Sequence, residues 1–285
     1  MDSRERLIFD TSGLNALANE PDLPVIAKCL GISSCVRLTE TNLAEIAATA
    51  NTHKRSSLIE TCQRLVGVGE CIGPHHWIIE QQVRLHAARP DIFNWQRLDV
   101  RMRALEEEIA RPRFLNDDTV AAESRAHFQQ TARAFDQLFR DAREAFPIPK
   151  DERIQITLPD VVELSLAEGS AHWRMAADIY ERYSGTRPSD DEVRAFVRLC
   201  PPFDAMMLST CVAHFHRSVR DFRLPAVYDA GRLDLMCSVY LPYCDRFITN
   251  DDGQRNALSA IAGLAGLETK VVAYSEFRQS WLLVA

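Results

Sequence analysis

The strongest constraint on the fold is a pattern found at both ends of the chain and missing between them: a short apolar strand that stops at a polar or acidic residue and gives way to helical spacing. Glu5-Arg6-Leu7-Ile8-Phe9 reads as a strand and ends on Asp10. Thr11-Ser12-Gly13 follows, and Leu14, Leu17 and Ala18 then recur at helical spacing. Cys35-Val36-Arg37-Leu38 is a second strand, with Thr39 or Thr41 as N-cap and Leu43, Ile46, Ala47 and Ala50 as the apolar face of the next helix. Toward the C-terminus, residues 233–240 read as helix, 246–249 as strand, 254–264 as helix and 269–274 as strand. Strands alternating with helices imply right-handed crossovers and a parallel sheet.

From about residue 80 to 224 the pattern is helical instead, over residues 92–109, 119–146, 161–184 and 189–222. Ser189-Asp190-Asp191-Glu192 is a capping box and Thr157-Leu158-Pro159-Asp160 another helix start. Pro147-Ile148-Pro149 and Pro201-Pro202 punctuate the run. At 285 residues the chain matches one large α/β domain or a smaller one carrying an insertion. The expected organisation is an α/β domain built from residues 1–80 and 225–285, split by an all-helical insertion over 81–224.

Composition removes several function classes. Apolar stretches such as Trp77-Ile78-Ile79 and residues 281–285 are too short to cross a membrane. Met1-Asp2-Ser3-Arg4-Glu5 has no basic leader, so a cytoplasmic protein is expected. The eight cysteines form no CxxC pair, which points to free buried thiols in a reducing cytoplasm, with a zinc site as the distant alternative. A net charge of −7 argues against broad coating of nucleic acid, but not against a site that gathers carboxylates around divalent metal. Nearly all of the 33 basic residues are arginine, which suits phosphate recognition but is explained as well by a compositional bias.

In an open parallel sheet the functional crevice lies beyond the carboxyl ends of the strands. Asp10 ends the first strand, Glu45 lies early on the helix after the second, Asp251 and Asp252 follow Phe247-Ile248-Thr249, and Asp234 opens the helix before that strand. Two Mg²⁺ or Mn²⁺ ions need such a cluster of hard oxygens, and carboxylates brought this close would repel one another without a cation.

Three blocks carry a resemblance to the PIN-domain nucleases: Ile8-Phe9-Asp10-Thr11-Ser12-Gly13-Leu14; Thr41-Asn42-Leu43-Ala44-Glu45-Ile46; and the stretch from Leu233-Asp234-Leu235 to Phe247-Ile248-Thr249-Asn250-Asp251-Asp252. That family has a first-strand Asp followed by small hydroxyl or Asn residues, an early-helix Glu, a helix-opening Asp, and some fifteen residues later a strand ending in Thr-x-Asp or Thr-x-Asn. Here Asp234 and Thr249 stand fifteen apart (249 − 234). The resemblance implies a three-layer α/β/α sandwich and metal-dependent cleavage of RNA. Its four acids would be Asp10, Glu45, Asp234 and Asp251, with Asp252 as a further ligand and Thr11, Ser12, Thr249 and Asn250 in support. It covers residues 5–75 and 225–275 and leaves the helical middle outside.

Each acid also has a plainer role. Asp10 could cap the following helix and Glu45 could favour the helix dipole, with Glu40 a competitor nearer the strand end. Asp234 could be a helix-start acid, and Asp251-Asp252-Gly253 a simple turn. Asp229 and Asp245 read as loop, turn or cap residues, and His75-His76 could touch RNA, though a loop or packing role explains them as well. His214 and His216, two apart, lie on different helix faces. Charges alternating between 101 and 113, such as Arg103 and Glu107, mark a solvated helix. Arg217, Arg220 and Arg223 form a basic stripe that could meet phosphate, though solvation explains it too.

The expected function is therefore a metal-dependent endoribonuclease acting on single-stranded RNA, in toxin, defence or processing roles, with a second copy or an antitoxin-type protein as partner. The alternatives are a non-catalytic protein-binding module on the same scaffold and a haloacid-dehalogenase-type phosphatase. The latter needs a second Asp where this chain has Ser12, and a late basic residue before its last acids, whereas Lys270 follows Asp251.

Overall fold

A computed structural model of the chain describes residues 4–67, 69–145 and 148–282. Met1-Asp2-Ser3, the Phe146 end of the expected 119–146 helix, Pro147 of the Pro-Ile-Pro break and residues 283–285 of the terminal apolar stretch lie outside the described residues. The elements run β1 (Glu5–Phe9), α1 (Thr11–Ala18), α2 (Leu23–Ser33), β2 (Ser34–Thr39), α3 (Glu40–Ala48), α4 (Thr52–Val66), β3 (Glu70–Ile72) and α5 (His75–Ala88). They continue with α6 (Arg103–Ala110), α7 (Asp118–Ala145), α8 (Lys150–Arg153), α9 (Leu158–Leu166), α10 (Ala171–Ser184), α11 (Asp190–Leu199) and α12 (Pro201–His214). The last are α13 (Arg232–Met236), β4 (Arg246–Thr249), α14 (Asp252–Leu264), β5 (Lys270–Ala273) and α15 (Tyr274–Leu282).

The five strands form one parallel sheet in the order β3-β2-β1-β4-β5, with Leu7 beside Val36 and Arg246 and Phe9 beside Ile248. The chain builds outward from β1 to β2 and β3, then crosses to β4 and β5 on the other side. The order therefore reverses between β1 and β4, where an open parallel sheet leaves its crevice.

Side chains alternate across the sheet, so helices must cover both faces. Leu7 and Phe9 pack with Leu14, Leu17, Leu30, Leu58 and Phe277. Ile8 and Phe247 face the other way and join Ile78, Phe196, Phe203, Met207 and Leu258. Burying each such side chain contributes roughly 1.5–3 kcal/mol, which neither face could forgo. Phe196 and Phe203 belong to the long helical stretch yet share one core with β1 and β4. The helices between residues 81 and 224 thus form much of one layer against the sheet.

Several local expectations need correction. A third strand–helix unit, β3 and α5, escapes the sequence pattern, and His75-His76 open that helix. Residues 92–109 are not one helix. Residues 90–92 and 95–97 make single 3₁₀ turns, and Arg101 bridges antiparallel to Ile72, with Met102 N donating to Cys71 O at 2.8 Å. This extended segment covers the edge of β3, a long-range contact that local helical spacing cannot reveal. The 161–184 run breaks between α9 and α10 at Gly169, whose φ of +71° favours glycine. The 189–222 run breaks at Pro201-Pro202, where α12 begins, and passes into a π turn over Phe215–Val219. The expected 233–240 helix is α13 followed by a 3₁₀ segment, Cys237–Tyr243, that contains Pro242. Ala50 lies beyond the end of α3.

The basic stripe is consumed internally. Arg217 donates to Asp136 and Ala230 O, Arg223 pairs with Asp221, and Arg220 donates to His216 O and Leu224 O. The cysteines are free, six of them buried, and among the described residues no helix is long and apolar enough to cross a membrane.

Candidate active site

Asp10 sits at the carboxyl end of the central strand and caps α1, its Oδ1 accepting from Gly13 N at 2.6 Å. Ser12 Oγ lies 2.9 and 2.8 Å from the two carboxylate oxygens, and Thr249 Oγ1, at the end of β4, lies 3.0 Å from Oδ2. Gly13 makes this junction fit, because a Cβ there would stand 2.8 Å from Ile248 O. Helix α1 can therefore start directly against the end of β4, and Asp10 is held beside Thr249. These donors fix the orientation of the Asp10 carboxylate.

Glu45 reaches the same place from α3. A Thr39–Asn42 capping box opens that helix, and Asn42 Nδ2 also donates to Phe9 O at 3.1 Å, which ties the helix start to the end of β1. One turn later the Glu45 carboxylate accepts a hydrogen bond from the Thr11 hydroxyl. Asp234, on α13, accepts from Gly231 N at 2.7 Å and from Gln254 Nε2 at 3.3 Å. Asp251 caps α14 by accepting from Gln254 N at 2.8 Å, while Asn250 N donates to Ser12 Oγ at 2.7 Å.

Proton affinities show that the acids share one neighbourhood. Burial lifts Asp10 to about 6 against the hydrogen bonds from Gly13, Ser12 and Thr249. Burial lifts Glu45 to about 7; the Thr11 hydroxyl opposes this, and the charges of Asp234 and Asp10 add to it. Burial raises Asp234, opposed by Gly231 N and reinforced by the charge of Asp251. Removal from water penalises each carboxylate, and like charges compound the penalty.

The other candidates fall elsewhere. Asp252, taken as a further ligand, is the first residue of α14; its exposed carboxylate turns along the helix to Arg255 at 2.8 Å instead of back toward the strand ends. Asp245 precedes β4 and pairs with Arg6 at 2.6 Å, at the amino ends of the strands, opposite the end that carries Asp10. Glu40 opens α3 and lines a neighbouring cleft. Asp229 contacts His216 at 3.2 Å.

Gln254 was not foreseen in the sequence. Its Nε2 donates to Asp234, and its Oε1 lies 2.7 Å from Thr249 Oγ1, where it competes with Asp10 for the one hydroxyl proton. The spacing Asp251-x-x-Gln254 is a capping-box signature and could have exposed it, as Thr39-x-x-Asn42 could have exposed the role of Asn42.

The donor set is chemically suited to a hard divalent cation: several carboxylates, desolvated and mutually repelling, that a positive charge would relieve. They are not preassembled as a cage. Among the described residues, no group of three or more His, Cys, Asp or Glu side chains is arranged to hold a metal ion as it stands. Each acid is instead turned toward its own capping or hydroxyl donor. Comparison with protein-family models, curated proteins and solved structures returned no match to this chain. Fold and site together define an α/β protein with a parallel sheet and an acidic crevice at its switch point.

Proposed function

We propose that this chain is a metal-dependent endoribonuclease of the PIN type that hydrolyses phosphodiester bonds in single-stranded RNA. The observation that carries the reading is the convergence of Asp10, Glu45, Asp234 and Asp251 where β1 and β4 end, with two of these carboxyls lifted to about 6 and about 7. Maintaining buried like charges is costly, and such cost concentrates at functional sites. Asp10, Glu45, Asp234 and Asp251 would hold Mg²⁺ or Mn²⁺. When bound, the ion supplies positive charge at the phosphodiester and acidifies an attacking water. Ser12 and Thr249 fix the Asp10 carboxylate, Thr11 fixes Glu45, and Gln254 spans Thr249 and Asp234. Burial holds the proton on Glu45 up to about pH 7, and a cation held by these acids would favour its ionised form.

The capping bonds of Asp10, Asp234 and Asp251 favour a second reading, a non-catalytic scaffold in which the acids only start helices. Cleavage of labelled single-stranded RNA in Mn²⁺ by wild type, Asp10→Asn and Asp251→Asn separates the two. Asn preserves a capping oxygen while losing the charge. The nuclease reading expects neither variant to melt below wild type without metal, and both to cleave about a hundredfold to a thousandfold more slowly, a transition-state loss of ~3–4 kcal/mol. Cleavage by both variants at the wild-type rate would reject it.

A further inference from the structure

Beside the acids lies a cleft of 550 Å³ between α3, α5, α7 and α13, within the range of about 300–1,000 Å³ common to small-ligand sites. Ala44 and Leu233 line it, the chain neighbours of Glu45 and Asp234, so the helices that carry two of the acids, α3 and α13, also form its walls. Its base is fixed: the buried Tyr240 hydroxyl lies 3.3 Å from Thr41 Oγ1 and takes a hydrogen bond from the His75 backbone. The remaining lining is suited to a planar polar ring. Phe128 and His127 come from α7, His75 and His76 from α5, and the carboxylates of Glu40 and Glu123 from α3 and α7. Arg232 is the one guanidinium among the described lining residues. Among the described residues no hydrogen bond reaches the half-buried Glu40 carboxylate, and His75 Nδ1 is buried without a partner. A buried polar atom such as His75 Nδ1 is normally satisfied, and a bound ligand can supply what is missing.

Two carboxylates against one guanidinium do not make a phosphate pocket. A carboxylate accepts two parallel N–H bonds, and guanine is the one unmodified base with two adjacent donors, N1–H and N2–H, on its Watson–Crick edge. Aromatic and imidazole rings add a stacking surface open to any base. We propose that this cleft reads a guanine next to the cleaved phosphodiester, with Glu40 accepting from N1–H and N2–H and Arg232 directed at the adjoining phosphate. The inference rests on the nuclease reading for its substrate, and deepens it by assigning the base.

The test is fluorescence polarisation with the full-length protein in EDTA, where no cleavage occurs. The probes are fluorescein-labelled uridine octamers whose central position is guanosine, inosine, adenosine, cytidine or uridine. Wild type is expected to bind the guanosine octamer about tenfold or more tightly than the uridine one, and to lose most of that margin with inosine, which lacks the N2 amino group. Glu40→Gln presents one acceptor in place of two and should bind all five alike. Glu123→Gln should keep the preference, and Arg232→Ala should weaken every octamer similarly. The inosine arm reads the wild type alone, so it stands even if a variant fails to fold. No binding by wild type, equal affinity for guanosine and uridine octamers, or a preference that survives Glu40→Gln overturns the assignment. Repeating the series in Mn²⁺ keeps the two readings apart. Preference without cleavage removes the nuclease and leaves the cleft, whereas cleavage without preference removes the cleft and leaves the nuclease.

Discussion

Removing the charge of Glu45 should make the metal-free protein more stable. In the fold this carboxyl rises from 4.5 to about 7, mainly through burial. Each tenfold change in proton affinity corresponds to about 1.4 kcal/mol, so ionising Glu45 in the fold costs ~3 kcal/mol relative to the unfolded chain. The sign follows from proton counting. Between pH 4.5 and about 7 the folded state binds more protons at this site than the unfolded state, so stability falls as pH rises through that window. The penalty is absent below it and complete above it. Gln at this position can still accept from the Thr11 hydroxyl. Glu45→Gln should therefore gain ~2–3 kcal/mol over wild type at pH 8 and nothing near pH 4.5. Urea unfolding in EDTA across that range measures the difference. Taking variant minus wild type cancels groups that titrate in both, among them His75, lowered to about 4 by burial and by the charges of His76 and Arg232. A variant less stable than wild type at pH 8, or a difference independent of pH, would show that Glu45 is a stabilising hydrogen-bonding residue and refute the electrostatic reasoning.

Gly253→Ala should cost ~1–3 kcal/mol and weaken Mn²⁺ binding, because the new Cβ would stand 2.1 Å from Asp229 O, a backbone atom beside α13. Gly263→Ala, in the same helix with nothing within 4 Å of its Cβ, should instead stabilise by ~0.5–1 kcal/mol; thermal melts with and without Mn²⁺ check both. Asp245→Asn disturbs a partly exposed pair with Arg6 at the amino ends of the strands, so it should cost about 1 kcal/mol or less and leave RNA cleavage at the wild-type rate.

What the sequence disclosed follows from how local each signal is. Strands β1, β2, β4 and β5 announce themselves because apolar runs end on Asp10, Thr39, Thr249 and Tyr274, with helix periodicity after three of them. Strand β3 spans only Glu70–Ile72, and Pro74 stands at the N-cap of α5 where a Ser, Thr or Asp would have marked a helix start. Residues 92–109 carry enough apolar spacing to resemble a helix, and only the contact of Arg101 with Ile72 holds part of them extended. Asp10, Glu45, Asp234 and Asp251 were legible because each follows a strand end or opens a helix. Asp251 and Asp252 are adjacent and chemically equal; the capping bond to Gln254 turns one back toward the strand ends while the other pairs with Arg255. The cleft around Glu40 joins residues of α3, α5, α7 and α13, a meeting that no single stretch of sequence encodes.

The most direct measurement is anomalous diffraction from crystals soaked in Mn²⁺ at pH 8, where the carboxyls lifted to about 6 and about 7 are ionised. A manganese peak within coordination distance of Asp10 and at least two of Glu45, Asp234 and Asp251 is expected, and Asp10→Asn crystals should lose it or weaken it strongly. Saturating Mn²⁺ with no peak among these acids, while the protein still cleaves RNA, would contradict the assignment of the crevice as the catalytic centre.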